Sequence, residues 1–464
     1  MASPAFAAKL AVARLSGAAS RRAGRGGGTS LPGKLLLRLD RDALAELAGG
    51  LREGSVLVSA TNGKTTTAAM TAAILRRAGR PFVHNRAGAN LPSGVASALL
   101  ADASPLGRPR SPLGLFEVDE AALEPVAEAV RPRCLLLMNL FRDQLDRYGE
   151  LELIGRRWRR VVERHPEARM VLGADDPLVG DIGEGRREGT TFFGVEDTTV
   201  AAPLQHAADS KWCVRCGTPY AYSAAFVGHL GHYACPNCGH ARPRPDIAAE
   251  AVHLDGMRGV RFTVRAAEGS AAVDLPIPGL YNVYNALAAL ALTRELGIPL
   301  ADGAAALSEF RSAFGRVERI DTGHDGRSLV LLLVKNPAGA NEVVRTLLLE
   351  EGPLPLLLAL NDGIADGRDT SWIWDVDLEA LAGRAAPITC SGTRAAELAV
   401  RLKYGGLDLD AVRAVEPDLE RALDGALAAL PAGGTLFCLP TYTALLAISR
   451  LVAERGWAQG YWDA

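Results

Sequence analysis

One segment limits what this chain can fold into more than any other: Ser59-Ala60-Thr61-Asn62-Gly63-Lys64-Thr65-Thr66-Thr67. It follows the apolar run Val56-Leu57-Val58 and leads into Ala68-Ala69-Met70-Thr71-Ala72-Ala73-Ile74-Leu75, which reads as a helix. A strand, a glycine turn and a helix N-terminus in that order make a phosphate cradle. Backbone N–H groups and the helix dipole face the anion, Lys64 reaches the terminal phosphates, and the Thr65 hydroxyl can hold Mg²⁺. Val58 stands where the full GxxxxGK[ST] pattern has its first glycine. Taken alone the loop competes with a bare strand–turn–helix. Taken as a cradle, it predicts an α/β fold and a nucleotide as substrate.

Strand-like runs at Ser55–Ser59, Leu113–Val118, Cys134–Asn139 and Arg169–Leu172 alternate with helical patterns, the signature of a parallel sheet flanked by helices. Residues 207–244 interrupt this with a Cys-, Gly- and Tyr-containing stretch that lacks a core-forming pattern. Short strands are expected in Ala251–Val264 and a helix in Tyr284–Leu296. A second α/β alternation begins near Ile320, with apolar runs at Leu329–Val334, Pro355–Leu360 and Thr435–Leu439. A length of 464 residues exceeds one core. The expected division is a lead-in over 1–50, a central domain over 51–320 and a smaller C-terminal domain over 321–464. The stretch Met1–Gly28 is expected to be a helix of the mature protein and not a signal peptide, because Lys9 and Arg14 break its apolar run. A net charge of −2 supplies no global field toward nucleic acid or membrane, and no apolar run reaches a bilayer span.

Seven cysteines do not make a disulfide scaffold in a chain of this size. Four of them, Cys213, Cys216, Cys235 and Cys238, form two CxxC knuckles with the spacing of a tetrahedral Cys₄ zinc site. Four sulfur ligands leave no open position, so the zinc is expected to serve folding and not catalysis. His229, His232 and His240 lie nearby in sequence; they read as surface histidines or as replacement ligands. Cys134, Cys390 and Cys438 sit singly in apolar surroundings, as suits a reducing cytosol.

The loop TNGKTTT resembles the ATP-binding loop of the Mur ligases, which add amino acids to peptidoglycan precursors. Phe116-Glu117-Val118-Asp119-Glu120, Asn139 to Gly149 with Asp143, Gln144 and Asp146, Gly173 to Pro177, and Gly279 to Ala288 with Asn282 and Asn285 are similar to further segments of that family, in family order. The resemblance implies a central P-loop ATPase domain with an inserted zinc ribbon, then a smaller α/β domain. It implies ATP–Mg²⁺ at Thr61, Asn62, Gly63, Lys64, Thr65 and Thr66, Glu117 as the Mg²⁺ carboxylate with Thr65, and a nucleotide contact from Asn285, with Asn282 beside it. Asn282 and Asn285 stand where a helix opens, a place Asn commonly caps, and Glu117 has surface charge as its plain alternative. Asp143 and Asp146 are weaker candidates, because Asp–Arg pairs in loops are often only salt bridges.

Within the family the fit is nearest to the branch that amidates the D-glutamate of lipid II. The zinc ribbon, Gln144 in place of a metal-binding His, Lys335-Asn336-Pro337-Ala338-Gly339, and the run Leu360 to Asp375 point there. Ala60 replaces the glycine that usually opens the family loop. Where amino-acid-adding relatives use a carbamoylated Lys, ungapped counting reaches Arg159. Fewer protein ligands for a second Mg²⁺ are therefore expected. Amidation needs ammonia, and no Cys/His pair in this chain looks like a glutaminase. The resemblance implies a GatD-like glutaminase subunit as partner, with Asp369 of this chain orienting the partner's His as an outside acid. Asp366-Gly367-Arg368-Asp369 also reads as a plain turn, and Trp372 and Trp374 as core aromatics or interface anchors. The lipid II substrate implies work in the cytoplasm, at the inner face of the membrane. The rival readings are a Mur-type ligase adding an amino acid and, from another class, a zinc-ribbon ATPase on nucleic acid, which the near-neutral charge disfavours.

Overall fold

The computed structural model describes residues 4–22, 30–85, 88–143, 151–205, 208–311, 318–323 and 325–458. Gln144 and Asp146 fall outside the described residues.

The central sheet has nine strands. In chain order they are β1 (Ser55–Ser59), β2 (Phe82–His84), β3 (Leu113–Glu117), β4 (Cys134–Leu137), β5 (Arg169–Gly173), β6 (Thr190–Val195), β9 (Ile247–Leu254), β10 (Val260–Ala266) and β11 (Gly269–Leu275). Their spatial order is β11-β10-β9-β6-β5-β4-β1-β3-β2. From β2 to β9 every neighbour is parallel, and β10 and β11 add an antiparallel edge. β1, β3 and β4 are buried along their whole length, as helices on both faces require. β1 lies between β3 and β4, and Val58 pairs with Glu117. The loop after β1 and the end of β3 therefore open side by side at the carboxyl edge of the sheet, where α/β sheets bind ligands.

The lead-in is part of this domain and not a detached arm. Its helix Pro4–Arg22 buries Phe6, Leu10 and Ala13 in one of the two central cores. Arg14 donates to the carbonyls of Leu100, Ala103 and Ser104 at the end of helix Pro92–Asp102.

The segment between β6 and β9 forms the hairpin β7 (Ala221–Val227) and β8 (Leu230–Ala234), with the Cys knuckles on either side. The expectation of no core pattern here is corrected. Tyr220, Tyr233, Cys213 and Cys235 make a small core of their own, and Phe226, Val227 and Leu230 join the main one. Gly228, at φ +58°, sits so close to Phe141 that a Cβ would lie 2.7 Å from the ring. The hairpin tip thus packs against the loop after β4.

A second sheet holds β12 (Glu318–Asp321), β13 (Ser328–Leu331), β14 (Leu354–Ala359), β15 (Ala385–Ser391), β16 (Val412–Glu416) and β17 (Thr435–Pro440) in the order β12-β13-β17-β14-β15-β16. Only the β12–β13 pair is antiparallel. Because β12 ends at Asp321, this sheet starts a few residues ahead of a boundary drawn there.

Candidate nucleotide site and metal centre

Gly63 ends the loop after β1 with φ +89° and begins the helix Lys64–Arg77. A Cβ at this position would meet the Asn285 Oδ1 at 2.0 Å, so glycine is required by both conformation and space. Ala60, in contrast, is fully buried without a left-handed backbone, and an L-residue fits there unstrained. Asn139 clasps the loop from the end of β4. Its carbonyl accepts from Thr61 N at 3.0 Å, its Oδ1 from Asn62 N at 2.9 Å, and its Nδ2 donates to Asn62 O at 3.1 Å.

Lys64 is buried and donates to the Ala60 carbonyl and, at 2.6 Å, to Glu120 Oε2. Burial opposes its charge, but Glu120, Asp119 and Glu117 outweigh burial and hold its pKa above the ordinary value. Burial likewise opposes the Glu120 carboxylate, and Lys64 and Lys335 overcome it, so Glu120 is held ionised. The run Phe116 to Glu120 drew attention to Glu117 and missed Glu120, which nothing local distinguishes from Asp119 beside it.

Thr65 Oγ1 donates to Glu117 Oε1 at 2.8 Å, while Glu117 Oε2 is buried without a hydrogen-bond partner. Asn85 fixes the Glu117 backbone from both sides, accepting from its N at 2.9 Å and donating to its O at 2.8 Å. An orphaned carboxylate oxygen beside a threonine hydroxyl is a donor set suited to Mg²⁺. Asn282 and Asn285 do not cap the helix Leu280–Glu295; Gly279 does, and both Asn side chains are buried in the first turns. Asn282 donates to Pro278 O, Asn285 Nδ2 donates to Asn282 Oδ1, and Asn285 Oδ1 accepts from Thr67 Oγ1.

The second domain closes over the loop. Asn336 caps helix Pro337–Leu347 and donates to Asn62 Oδ1 at 2.9 Å. Lys335 reaches Thr61 O and forms an ion pair with Asp143. Between the domains lies a cleft of about 910 Å³, part of it open to solvent, lined by Asn62, Gly63, Thr66, Asn285, Lys335 and Glu342 among others. The β7–β8 hairpin contributes Val227 and Leu230 to its wall.

Cys213, Cys216, Cys235 and Cys238 converge, with Sγ–Sγ distances of 3.5 Å (Cys213–Cys238) and 3.4 Å (Cys216–Cys235). Tetrahedral Zn–S bonds of about 2.3 Å space the sulfurs at about 3.8 Å, so the four thiols fit a zinc ion. Hydrogen bonds from Thr218 push the Cys216 thiol down to about 5, whereas at Cys238 the His240 backbone N–H is outweighed by burial and hydrogen bonds with the other three thiols, which push that thiol up to about 12. The histidines stand outside the four-sulfur cluster and are not surface residues as a group: His229 and His240 are buried, bonding to Asp176 at 3.2 Å and Tyr220 at 2.7 Å, and His232 contacts Val195 O. Arg159 pairs with Asp181.

Asp369 is exposed on the loop after β14 and accepts from Ser371 N at 2.9 Å, the local turn that its sequence allows. Ser371 hydrogen bonds hold its carboxyl below the usual range. Buried Asp366 secures that loop by accepting from Thr443 N at 2.7 Å and from its hydroxyl. Trp372 lines an apolar cavity within the second domain, whereas Trp374 is half exposed and tilts against Tyr404.

A parallel sheet carrying this cradle, with a second α/β domain closed over it, is the fold of the Mur-type ligases. Residues 58–293 match the family model for the Mur ligase middle domain, and residues 333–445 that for the MurT ligase C-terminal domain. The chain is 33% identical over 93% of both lengths to the lipid II isoglutaminyl synthase (glutamine-hydrolyzing) subunit MurT of Streptococcus pneumoniae. It is 30% identical over 94% of both lengths to the subunit of the same name from Staphylococcus aureus (strain N315). A pseudomurein peptide ligase type C from Methanothermus fervidus shares the fold with a TM-score of 0.67 at 22% identity, covering 87% of this chain and 79% of that one. The chain belongs to the MurT family of Mur-type ligases.

Removing one partner of a buried ion pair strands the other charge. Glu120→Gln and Lys64→Met should each lower stability by about 3–5 kcal/mol in urea unfolding. The double variant should cost less than the sum, by about 1–3 kcal/mol; strict additivity would contradict the pairing. For the metal centre, mass spectrometry of the native chain should find one zinc bound. Cys216→Ser should release it and expose the other three thiols to a thiol reagent, and a native chain free of metal with reactive cysteines would refute the site.

Proposed function

We propose that the chain is the ligase subunit of an enzyme that amidates the D-glutamate α-carboxylate of lipid II to D-isoglutamine during peptidoglycan synthesis. What supports this is an intact phosphate cradle in a chain that aligns along 93% of its length with a lipid II isoglutaminyl synthase subunit.

In this reading ATP lies in the cleft, with its β- and γ-phosphates at Thr61 to Thr66. Lys64 swings its ammonium from the Ala60 carbonyl to the phosphates, and Glu120 keeps it charged. Thr65 and Glu117 would hold Mg²⁺, which when bound neutralises phosphate charge. Asn285 and Asn282 support the loop at Gly63, where the nucleotide approaches the backbone. A D-glutamate carboxylate oxygen attacks the γ-phosphorus and ADP leaves, giving an acyl phosphate. The lone pair of ammonia attacks the acyl carbon, phosphate departs, and loss of a proton leaves the amide. The apolar walls exclude the water that would hydrolyse the acyl phosphate.

Ammonia comes from a GatD-like glutaminase partner. Asp369, ionised and facing outward, orients the partner's catalytic His, fixing its tautomer and stabilising its imidazolium. Ile364 on the same loop, with Trp374 and Tyr404, offers exposed apolar surface for docking. The lipid tail of the substrate keeps the enzyme at the cytoplasmic membrane face; among the described residues no helix is long and apolar enough to cross one.

The chain with its glutaminase subunit, given ATP, Mg²⁺ and lipid II, should convert the D-glutamate carboxyl to an amide with either glutamine or an ammonium salt, as read by mass spectrometry. Lys64→Ala should lower both reactions at least about 10²-fold. Asp369→Asn should lower only the glutamine-dependent reaction, by about 10²–10⁴-fold. Lipid II left unchanged under both nitrogen sources would sink the reading.

A further inference from the structure

One acidic side chain lines the cleft, and among the described residues none donates a hydrogen bond to it. Glu342, on helix Pro337–Leu347, is 1% exposed, and neither carboxylate oxygen accepts a hydrogen bond. Arg345 forms an ion pair with it at 3.8 Å without a hydrogen bond, and donates instead to the carbonyls of Phe226 and Val200. Burial pushes the Glu342 carboxyl up to about 7. Native proteins seldom bury a carboxyl with both oxygens unsatisfied unless something else completes it.

Several donors on the cleft wall are turned to other acceptors, and none of the wall's side chains donates to Glu342. The side-chain amide of Asn282 goes to Pro278 O, that of Asn285 to Asn282 and that of Asn139 to Asn62 O. The Tyr284 hydroxyl goes to Asp175 at 2.6 Å, and Lys335 to Asp143. Phe141, Val227, Leu230, Ile277, Leu333 and Val343 supply apolar wall and no side-chain donor. An occupant of the cleft can supply the donors that the wall does not.

We infer that Glu342 recognises the ribose of the nucleotide, its two oxygens accepting from the 2′- and 3′-hydroxyls. The inference rests on the nucleotide reading of this cleft. Two orphaned acceptors call for two adjacent donors, and a vicinal diol presents them. The Watson–Crick edge of adenine offers an amino donor beside the N1 lone pair, which would repel the second oxygen. Guanine, with adjacent N1–H and N2–H donors, is the base that could compete for this role, and it is an outcome the test must separate.

Isothermal titration of the intact chain with Mg²⁺ complexes of ATP, 2′-deoxy-ATP, 3′-deoxy-ATP and GTP decides the matter. Native chain should bind ATP about 10–100-fold more tightly than either deoxy analogue, the worth of a hydrogen bond to a charged acceptor. Glu342→Leu should erase that discrimination. Its melting temperature without ligand should be unchanged or raised, because an unsatisfied buried carboxyl is gone; a merely structural role would lower it. Glu342→Gln, closest in shape, should weaken the discrimination and guards against misfolding of the Leu variant. Equal affinity of native chain for ATP and both deoxy analogues would overturn the assignment. So would discrimination that survives in both variants, or a preference for GTP that vanishes with Glu342. A native chain that binds no nucleotide would instead overturn the reading of the cleft itself.

Discussion

The buried charge of Lys64 is the constraint around which the rest of the site is arranged. An ammonium taken out of water costs several kcal/mol unless it is matched, and here Glu120 matches it at 2.6 Å. Holding Glu120 in place requires the chain to turn inward directly after β3, and Trp158 supports that turn by donating to the Glu120 carbonyl at 3.1 Å. The same turn leaves Glu117 at the strand end beside Thr65. One packing requirement therefore produces both halves of a phosphate site: a cation held charged and a carboxylate oxygen left open.

The cleft is built from three separate parts of the chain. The parallel sheet supplies the loop, the second domain supplies Lys335, Asn336 and Glu342, and the ribbon hairpin supplies Val227 and Leu230. His229 at the hairpin tip lies tilted against Phe141, ring centres 4.6 Å apart, and contacts Asp176, whose carboxylate also accepts from Leu140 N at 2.8 Å. The cysteine cluster thus flanks a hairpin that forms part of the cleft wall, so a metal held by those four thiols would bear directly on the cleft's shape.

Much of this was legible in the sequence. The apolar runs located β1, β3, β4 and β5 to within a residue or two, because strands buried on both faces must be continuously apolar. The loop and the cysteine knuckles announced themselves through spacing that few other structures need. What the sequence concealed are contacts between distant segments. Glu120 looked like one more charge in an acidic run until its buried ion pair with Lys64 was seen. Asn282 and Asn285 looked like helix caps until Gly279 proved to occupy that place. His229 and His240 looked like surface residues because nothing local signals that Asp176 and Tyr220 await them. Lys335 and Asn336 matched a family segment without revealing that they meet the loop at Thr61 and Asn62.

The central claim is that this cleft phosphorylates a carboxylate of the substrate before nitrogen enters. Lipid II carrying ¹⁸O in the α-carboxylate of its D-glutamate tests it most directly, with the released phosphate read by ³¹P NMR. An acyl phosphate predicts one ¹⁸O atom in each phosphate formed with the amide. Amide formed alongside phosphate that contains no ¹⁸O would contradict it.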